Sequence, residues 1–219
     1  MNAVIFDMDG VIVDSEIHWK TTEGFFLQSL VPAWNIDDQD KIIGLAVLDV
    51  YKMLVDMYQL QKTQAQFLEL YQEMANEIYG QKVSLIEGFT ALLATLHEHN
   101  VPVALASSSP KTWIDIVLQR FHLLEAFKVV VSADELEGGG KPSPAIYLLT
   151  AKRLGVSPDR CIAIEDSKNG VLSAKNAGMY CIGFRNGFND EQDLSQADRV
   201  IQRFDELDWQ TLQRLLDIQ

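Results

Sequence analysis

The chain contains 219 residues, of which 47% are hydrophobic, so it can form one sizeable core with room for an inserted subdomain. Its 31 acidic and 18 basic residues give a formal net charge of -13, which argues against nucleic acid and anionic membrane surfaces as partners. No apolar run is long enough to cross a bilayer and the first residues lack the pattern of a secretory signal, so we expect a cytoplasmic protein.

Short apolar runs that are typical of buried strands alternate with helical patterns along the chain. Strands are predicted, in chain order, at Ala3–Phe6, Val101–Ala106, Phe127–Val131, Cys161–Ile164 and Tyr180–Phe184. Helices are predicted at Phe89–Leu96, Pro144–Leu154 and Ser167–Ala177. This alternation predicts an α/β fold with a Rossmann-like parallel sheet core and helices on both faces.

The connection between the first two predicted strands differs from the rest of the chain. From Ser15 to about Gln81 the pattern is helical, and large apolar residues recur at helical spacing. Since a connection between parallel strands needs only about a dozen residues or somewhat more, this segment is interpreted as an inserted α-helical subdomain. We predict a core at residues 1–14 and 82–219, and a helical cap domain at residues 15–81 that acts as a mobile lid.

Two carboxylates, Asp7 and Asp9, directly follow the first predicted strand. In an extended backbone, residues i and i+2 face the same way, so both side chains are expected in the crevice at the strand's end, where open α/β sheets bind ligands. Two like charges this close are unfavourable unless a cation or a shared proton offsets them. The alternative is a carboxylate pair on a surface turn without a chemical role.

The second and third predicted strands are followed by residues that could bind an anion. Ser107-Ser108-Ser109 places a hydroxyl and successive backbone N–H groups at a strand-to-helix turn, which is a phosphate-sized cradle or, alternatively, an ordinary loop. Gly138-Gly139-Gly140-Lys141-Pro142 fails as a P-loop, because Pro142 stands where Ser or Thr is required. We interpret Lys141 as an inward-facing cation for an anionic substrate; the alternative is a solvated surface lysine.

Glu165 and Asp166 follow the fourth predicted strand and repeat the design of the first. If both strands are central in the sheet, these carboxylates converge with Asp7 and Asp9. Such oxygen ligands favour a hard cation, and Mg²⁺ in particular, because it keeps several waters and bridges to substrate phosphate. The alternative, which is compatible with the first, is an acidic start to a helix.

Together these segments resemble the haloacid dehalogenase superfamily, in its phosphatase branch with a small helical cap, close to β-phosphoglucomutase and sugar-phosphate phosphatases. The matching segments span the predicted core in the family's order: Asp7–Glu16, Ser107, Lys141-Pro142 and Ile164–Gly170. The resemblance implies that Asp7 is a nucleophile that forms an aspartyl-phosphate, and that Asp9 is the general acid and later the base. It also implies that Ser107, with Ser108 beside it, and Lys141 hold the transferring phosphoryl group.

The resemblance further implies a Mg²⁺ cofactor and a small phosphorylated metabolite as the substrate. The metal would be held by Asp7, the Asp9 carbonyl, Glu165 and Asp166. Dehalogenases of the superfamily lack the second aspartate, since a halide leaves without a proton, so the presence of Asp9 disfavours that chemistry. A non-catalytic metabolite-binding protein is an alternative, although no catalytic carboxylate is missing. Nothing in the sequence indicates an obligate protein partner.

Phosphatase and phosphomutase are the two enzymatic alternatives. Relatives with mutase activity carry a cap arginine three residues after a glycine, and this arginine grips the phosphate that does not react. Here the glycine is Gly44 and the arginine's place falls to Val47, which cannot hydrogen-bond a phosphate. Lys41 and Lys52 are nearby cations that could substitute. We predict a phosphatase of sugar or polyol monophosphates, with a β-phosphoglucomutase-type mutase as the alternative.

Overall fold

The computed structural model describes residues 2–35, 42, 47–136 and 140–217. The chain divides into two compact units, Met1–Asp14 with Ser84–Gln219 and Ser15–Val83. The strands are β1 (Ala3–Phe6), β2 (Val103–Ser107), β3 (Val129–Ser132), β4 (Cys161–Glu165), β5 (Tyr180–Phe184) and β6 (Arg199–Ile201). The helices are α1 (Ser15–Leu30), α2 (Val47–Tyr58), α3 (Gln64–Glu77), α4 (Phe89–Glu98), α5 (Lys111–Arg120), α6 (Ala145–Leu154), α7 (Lys168–Asn176) and α8 (Trp209–Asp217). None of the helices in the described ranges has the length and apolar character that a membrane span requires.

The first unit contains, within its described residues, a six-stranded parallel sheet in the order β3-β2-β1-β4-β5-β6. This is the predicted α/β, Rossmann-like architecture. The four residues of β1 are fully buried, because a central parallel strand is covered on both faces. Ile5 belongs to a core cluster with residues of α6 and α7. Phe6, whose side chain points the opposite way, packs edge-on against Phe89 of α4 with ring centroids 5.5 Å apart.

The observed strands differ from the predicted ones mainly at their ends. β1 and β5 occupy the predicted residues, whereas β2 and β3 each begin two residues later than predicted. β6 is absent from the prediction because it has only three residues, begins with Arg199, and leaves Val200 45% exposed. A short, half-exposed edge strand does not produce the apolar run that marks a buried strand.

The sheet register explains why the predicted site residues meet. The strands are parallel, so their carboxyl ends lie along one edge of the sheet, where ligands bind in this class of fold. Phe6 pairs with Leu105 of β2 and with Ile164 of β4. The residues that follow these three positions therefore emerge side by side at that edge.

The second unit has no strand among its described residues, which contain α1, α2, α3 and a π-helical segment at Ile78–Lys82 that directly follows α3. Thr63 begins α3 with a capping box, in which its hydroxyl accepts from the Gln66 backbone N–H and the Gln66 side chain accepts from the Thr63 N–H. Many of the large apolar residues of this segment form its core, although Phe25 and Met57 are 65% and 58% exposed. Buried core residues include Leu27, Trp34, Val50, Leu54, Phe67, Tyr71 and Met74.

Candidate active site

Asp7, the first residue after β1, is buried at the carboxyl edge of the sheet. Its backbone N–H donates to the Ile164 carbonyl oxygen at 3.1 Å, which continues the pairing with β4 for one more residue. Its Oδ1 accepts from the Lys141 ammonium at 2.8 Å. Asp7 is therefore fixed by β4 through its backbone and by a lysine through its side chain.

Lys141 connects two carboxylates from different strands. Its Nζ lies 2.8 Å from Asp7 Oδ1 and 2.5 Å from Glu165 Oε1, and its side chain is only 7% exposed. It is therefore an inward-facing cation, as the sequence predicts, and not the solvated surface lysine of the alternative interpretation. Although burial lowers the pKa of Lys141, the carboxylates of Asp7 and Glu165 raise it above its usual value. The ammonium therefore stays charged.

The charge of Asp7 is strongly disfavoured in the protein alone. Burial raises the pKa of Asp7 to about 8, and the neighbouring charges of Glu165 and Asp9 add to this effect, while Lys141 opposes it. One ammonium does not offset the negative charge collected at this edge of the sheet. An additional cation in contact with these carboxylates would return the Asp7 pKa toward its ordinary range.

The residues present fit a hard divalent cation. Among the described residues, Asp7, Glu165 and Asp166 each offer an oxygen atom, and these atoms all lie within 4.8 Å of one another. Glu165 Oε2 is buried and has no hydrogen-bond partner in the described part of the chain. A buried anionic oxygen without a donor is costly unless a cation compensates for it. Carboxylate oxygens are the ligands that Mg²⁺ prefers.

Asp9 does not belong to that group of three carboxylates. It is half-buried, and its Oδ2 accepts a hydrogen bond from the Ser109 hydroxyl at 2.7 Å. Asp7 and Asp9 therefore have different surroundings: one contacts a cation, the other a hydroxyl. Two carboxylates in different environments are suited to different chemical roles.

The serine run that begins with the last residue of β2 places its three members in different environments. Ser107 is fully buried, and its Oγ accepts from the Ser109 backbone N–H at 3.0 Å. Ser108 is exposed and Ser109 contacts Asp9. The Ser109 carbonyl accepts in turn from the Ser132 hydroxyl at 2.8 Å, so β3 helps to fix this loop. Of the two serines predicted as phosphate ligands, Ser107 lies inside the protein and Ser108 on its surface.

Two asparagines after β5 hold Asp166, and sequence reasoning did not identify them. The Asn186 amide donates to Asp166 Oδ2 at 3.1 Å and to the Gly10 carbonyl at 2.9 Å. The Asn189 amide donates to the Asp166 carbonyl at 2.6 Å. The available signal was that polar residues follow β5 at the same sheet edge as the other site residues.

Gly10 closes the turn after Asp9 with a φ of +72°, where side chains other than glycine are strained. A Cβ atom built at this position would overlap the Asp166 carboxylate. The glycine therefore allows both the turn and the close approach of Asp166 to the loop that carries Asp7.

Comparison with known proteins connects this geometry to a family. A family model described as haloacid dehalogenase-like hydrolase matches residues 4–184. Hexitol phosphatase B of Escherichia coli (strain K12) is 34% identical, with an alignment that covers 82% of this chain and 82% of that protein. Beta-phosphoglucomutase of Bacillus subtilis (strain 168) is 32% identical, with an alignment that covers 94% of this chain and 92% of that protein. The crystal structure of beta-phosphoglucomutase from Clostridium difficile matches with a TM-score of 0.78 at 22% identity, covering 100% of this chain and 98% of that one.

The fold and the site define an α/β protein whose candidate site residues lie at the carboxyl edge of a parallel sheet. The chain belongs to the haloacid dehalogenase-like hydrolase family. Its named relatives support a phosphoric monoester hydrolase of the phosphatase type, and a phosphomutase is also consistent with them. The structural neighbour at 22% identity supports the fold alone.

Proposed function

We propose that the protein is a magnesium-dependent phosphatase of small phosphorylated metabolites, namely sugar or polyol monophosphates, that acts through an aspartyl-phosphate at Asp7. The observation that carries this proposal is the buried contact of Asp7 with Lys141 next to Glu165 and Asp166. An isolated buried carboxylate repels a phosphate ester. A carboxylate next to a fixed ammonium and a cation-binding group can approach one, because phosphoryl transfer depends mostly on positioning and charge neutralisation.

The proposed reaction has two halves. In the first, an Asp7 carboxylate oxygen bonds to phosphorus while the ester P–O bond breaks, and Asp9 gives its proton to the leaving oxygen. In the second, Asp9 takes a proton from water, the water oxygen bonds to phosphorus, and the bond to Asp7 breaks. Inorganic phosphate leaves, and both carboxylates return to their starting states. The hydroxyl of Ser109 orients Asp9 for both proton transfers.

The remaining proposed site residues neutralise and hold the phosphoryl group. Lys141 attracts its oxygens, while Ser107 and Ser108 supply hydroxyl or backbone N–H donors. Mg²⁺, when bound, would add Lewis-acid stabilisation of the phosphoryl charge. It would be held by Asp7, the Asp9 carbonyl, Glu165 and Asp166.

The choice of substrate class is supported by the relatives. One relative is named for hexitol phosphate hydrolysis, and the other is a beta-phosphoglucomutase. Both names refer to six-carbon phosphorylated compounds, which differ in whether the carbon chain forms a ring. We therefore propose a sugar or polyol monophosphate as the substrate.

A phosphomutase is the second candidate, and the similarity to the Bacillus subtilis mutase over 94% of this chain favours it. The residue at the position where mutase relatives carry the cap arginine argues against a phosphomutase. Val47 is half-buried at the start of α2, while Gly44 and Lys41 lie outside the described residues. Lys52 contacts Asp49 at 2.9 Å, and both side chains are largely exposed, so this pairing is weak. A bisphosphate intermediate requires a firm grip on its distal phosphate, and valine offers none.

Glucose 1-phosphate with added glucose bisphosphate should separate the two activities. We expect free phosphate to be the main product, measured by a phosphate-release assay, with little glucose 6-phosphate, measured by a coupled dehydrogenase assay. A panel of sugar and polyol monophosphates assayed in parallel supplies the positive control for hydrolysis. Efficient formation of glucose 6-phosphate with little hydrolysis would instead establish the mutase.

We also propose that residues 15–81 form the cap domain that selects the substrate. Replacing this segment with the corresponding segment of hexitol phosphatase B should shift the ranking of substrates in kcat/KM toward that of the donor enzyme. The magnesium requirement should not change, because Asp7, Glu165 and Asp166 lie in the other unit. A folded chimera with an unaltered substrate ranking would contradict the proposed role.

A further inference from the structure

Tyr147, in α6, is a buried tyrosine whose hydroxyl contacts the proposed metal-binding group. The hydroxyl donates to Glu165 Oε1, the same oxygen that accepts from the Lys141 ammonium. The ammonium also lies 5.5 Å from the centroid of the Tyr147 ring. One oxygen of Glu165 therefore has two donors, and both belong to side chains that are almost completely buried.

The other oxygen of Glu165 has a different environment. Oε2 is buried and has no hydrogen-bond partner within the described residues. It faces Gly170 in the first turn of α7, where a Cβ atom would overlap both Oε2 and the carboxylate carbon. The Glu165 carboxylate is therefore confined on both sides. The Tyr147 hydroxyl holds one oxygen, and the backbone of Gly170 lies against the other.

We propose that Tyr147 and Gly170 are positioning residues that hold the Glu165 carboxylate in the orientation required for metal binding. This inference rests on the proposed function, since it assumes that Glu165 binds Mg²⁺. Tyr147 fixes Oε1 by its hydrogen bond, and Gly170 leaves the space that Oε2 occupies. Outer partners of metal ligands commonly act in this way, because they restrict the orientation of the ligand without touching the metal.

The geometry also explains why both residues are needed. Without the Tyr147 hydroxyl, Glu165 Oε1 keeps only Lys141, which is shared with Asp7. The carboxylate could then change its orientation, because a single shared ammonium restricts it less than two donors do. With a side chain at position 170, the carboxylate would be displaced from its present position, because a Cβ atom would overlap it. Either change disturbs the spacing within the group of three oxygen ligands.

The first test is Tyr147→Phe, which removes one hydroxyl and keeps the ring. We expect the Mg²⁺ concentration that gives half-maximal activity to rise roughly tenfold, within the range typical of outer-shell partners. The dissociation constant of Mn²⁺, measured directly by electron paramagnetic resonance titration without substrate, should rise by a similar factor. KM for the phosphate ester at saturating Mg²⁺ should stay within about twofold, because Lys141 is retained.

Tyr71→Phe is the matched control. Tyr71 is equally buried, and its hydroxyl donates to the Glu23 carboxylate at 2.6 Å in the helical unit. This variant loses the same kind of hydrogen bond but lies outside the unit that holds the carboxylate group. It should bind Mn²⁺ as the wild type does. A general effect of losing a buried tyrosine hydroxyl would appear in both variants, whereas positioning of Glu165 affects only Tyr147→Phe.

Gly170→Ala tests the other side of the carboxylate. Alanine has the higher helix propensity, so α7 itself should not be weakened. The added methyl group should nevertheless raise the Mn²⁺ dissociation constant at least as much as Tyr147→Phe does. If the wild type binds Mn²⁺ and requires Mg²⁺ but both variants bind Mn²⁺ with unchanged affinity, the positioning role is wrong and the proposed function stands. A wild type that neither binds Mn²⁺ nor requires Mg²⁺ would overturn both.

Discussion

Replacing Asp7 with asparagine should abolish phosphate release while leaving the fold intact. Asparagine has nearly the same shape and keeps an oxygen that can accept the hydrogen bond from Lys141. The neutral amide is not a competent nucleophile, so no aspartyl-phosphate forms. We expect kcat to fall by roughly 10³-fold or more, as is typical when a covalent nucleophile is removed. Phosphate release from the preferred ester, measured at saturating Mg²⁺, gives the result directly.

Asp159→Asn is a suitable control, since Asp159 is exposed in the turn before β4, at the opposite end of that strand from Glu165. It should retain full activity. Acid-quenched wild-type enzyme should carry a phosphoryl group detectable by intact-protein mass spectrometry, and Asp7→Asn should carry none. Substantial turnover by a folded Asp7→Asn variant would mean that another group is the nucleophile.

Much of the sheet and of the carboxylate cluster could be predicted because both follow from short-range pattern. Ala3–Phe6 is a continuous apolar run, which marks a strand covered on both faces. In a parallel sheet, the residue after each strand emerges at one edge, so chain position alone brings Asp7 together with Glu165 and Asp166. No knowledge of side-chain direction is needed for that step.

The contacts that support these residues depend on the direction of each side chain and on its distance from other elements. The pattern of apolar and polar residues in the sequence contains neither. In the run Ser107–Ser109, Ser109 contacts Asp9 and Ser108 is exposed. The conformation of the local turn determines which serine faces the site. Asn186 and Tyr147 reach Asp166 and Glu165 from elements 20 and 18 residues away in the chain. Their role becomes visible only when strand register and helix rotation are known.

Removing the metal should silence the enzyme. The reason is the environment of Asp7, because burial raises the pKa of this side chain to about 8 in the protein without metal. Without a cation, protonation competes with the ionised form of Asp7, and a protonated carboxyl group is a poor nucleophile. We expect activity to disappear in excess chelator and to return when Mg²⁺ is added back in excess.

The same pKa predicts how metal affinity depends on pH. Because burial raises the pKa of Asp7 to about 8 without metal, Mg²⁺ binding at lower pH is coupled to the loss of a proton. The apparent affinity for Mg²⁺ should therefore increase as pH rises, by up to about tenfold per pH unit for one displaced proton, and should level off above the pKa of Asp7. An affinity that does not change between pH 6 and about pH 8 would contradict this linkage.

Asp166→Ala tests whether Asp166 is one of the metal ligands. Asp166 is 2% exposed and lies in the group of three carboxylates, so its loss should raise the half-saturating Mg²⁺ concentration beyond the roughly 10–100-fold typical of outer-shell partners. Asp190→Ala removes an exposed carboxylate from the loop after β5 and should leave the metal response unchanged. Full activity of the wild type in excess chelator would exclude a metal requirement. A normal metal response of Asp166→Ala would show that Asp166 is not a metal ligand. The negative charge at this edge of the sheet would then have to be balanced by Lys141 and by protonation of Asp7.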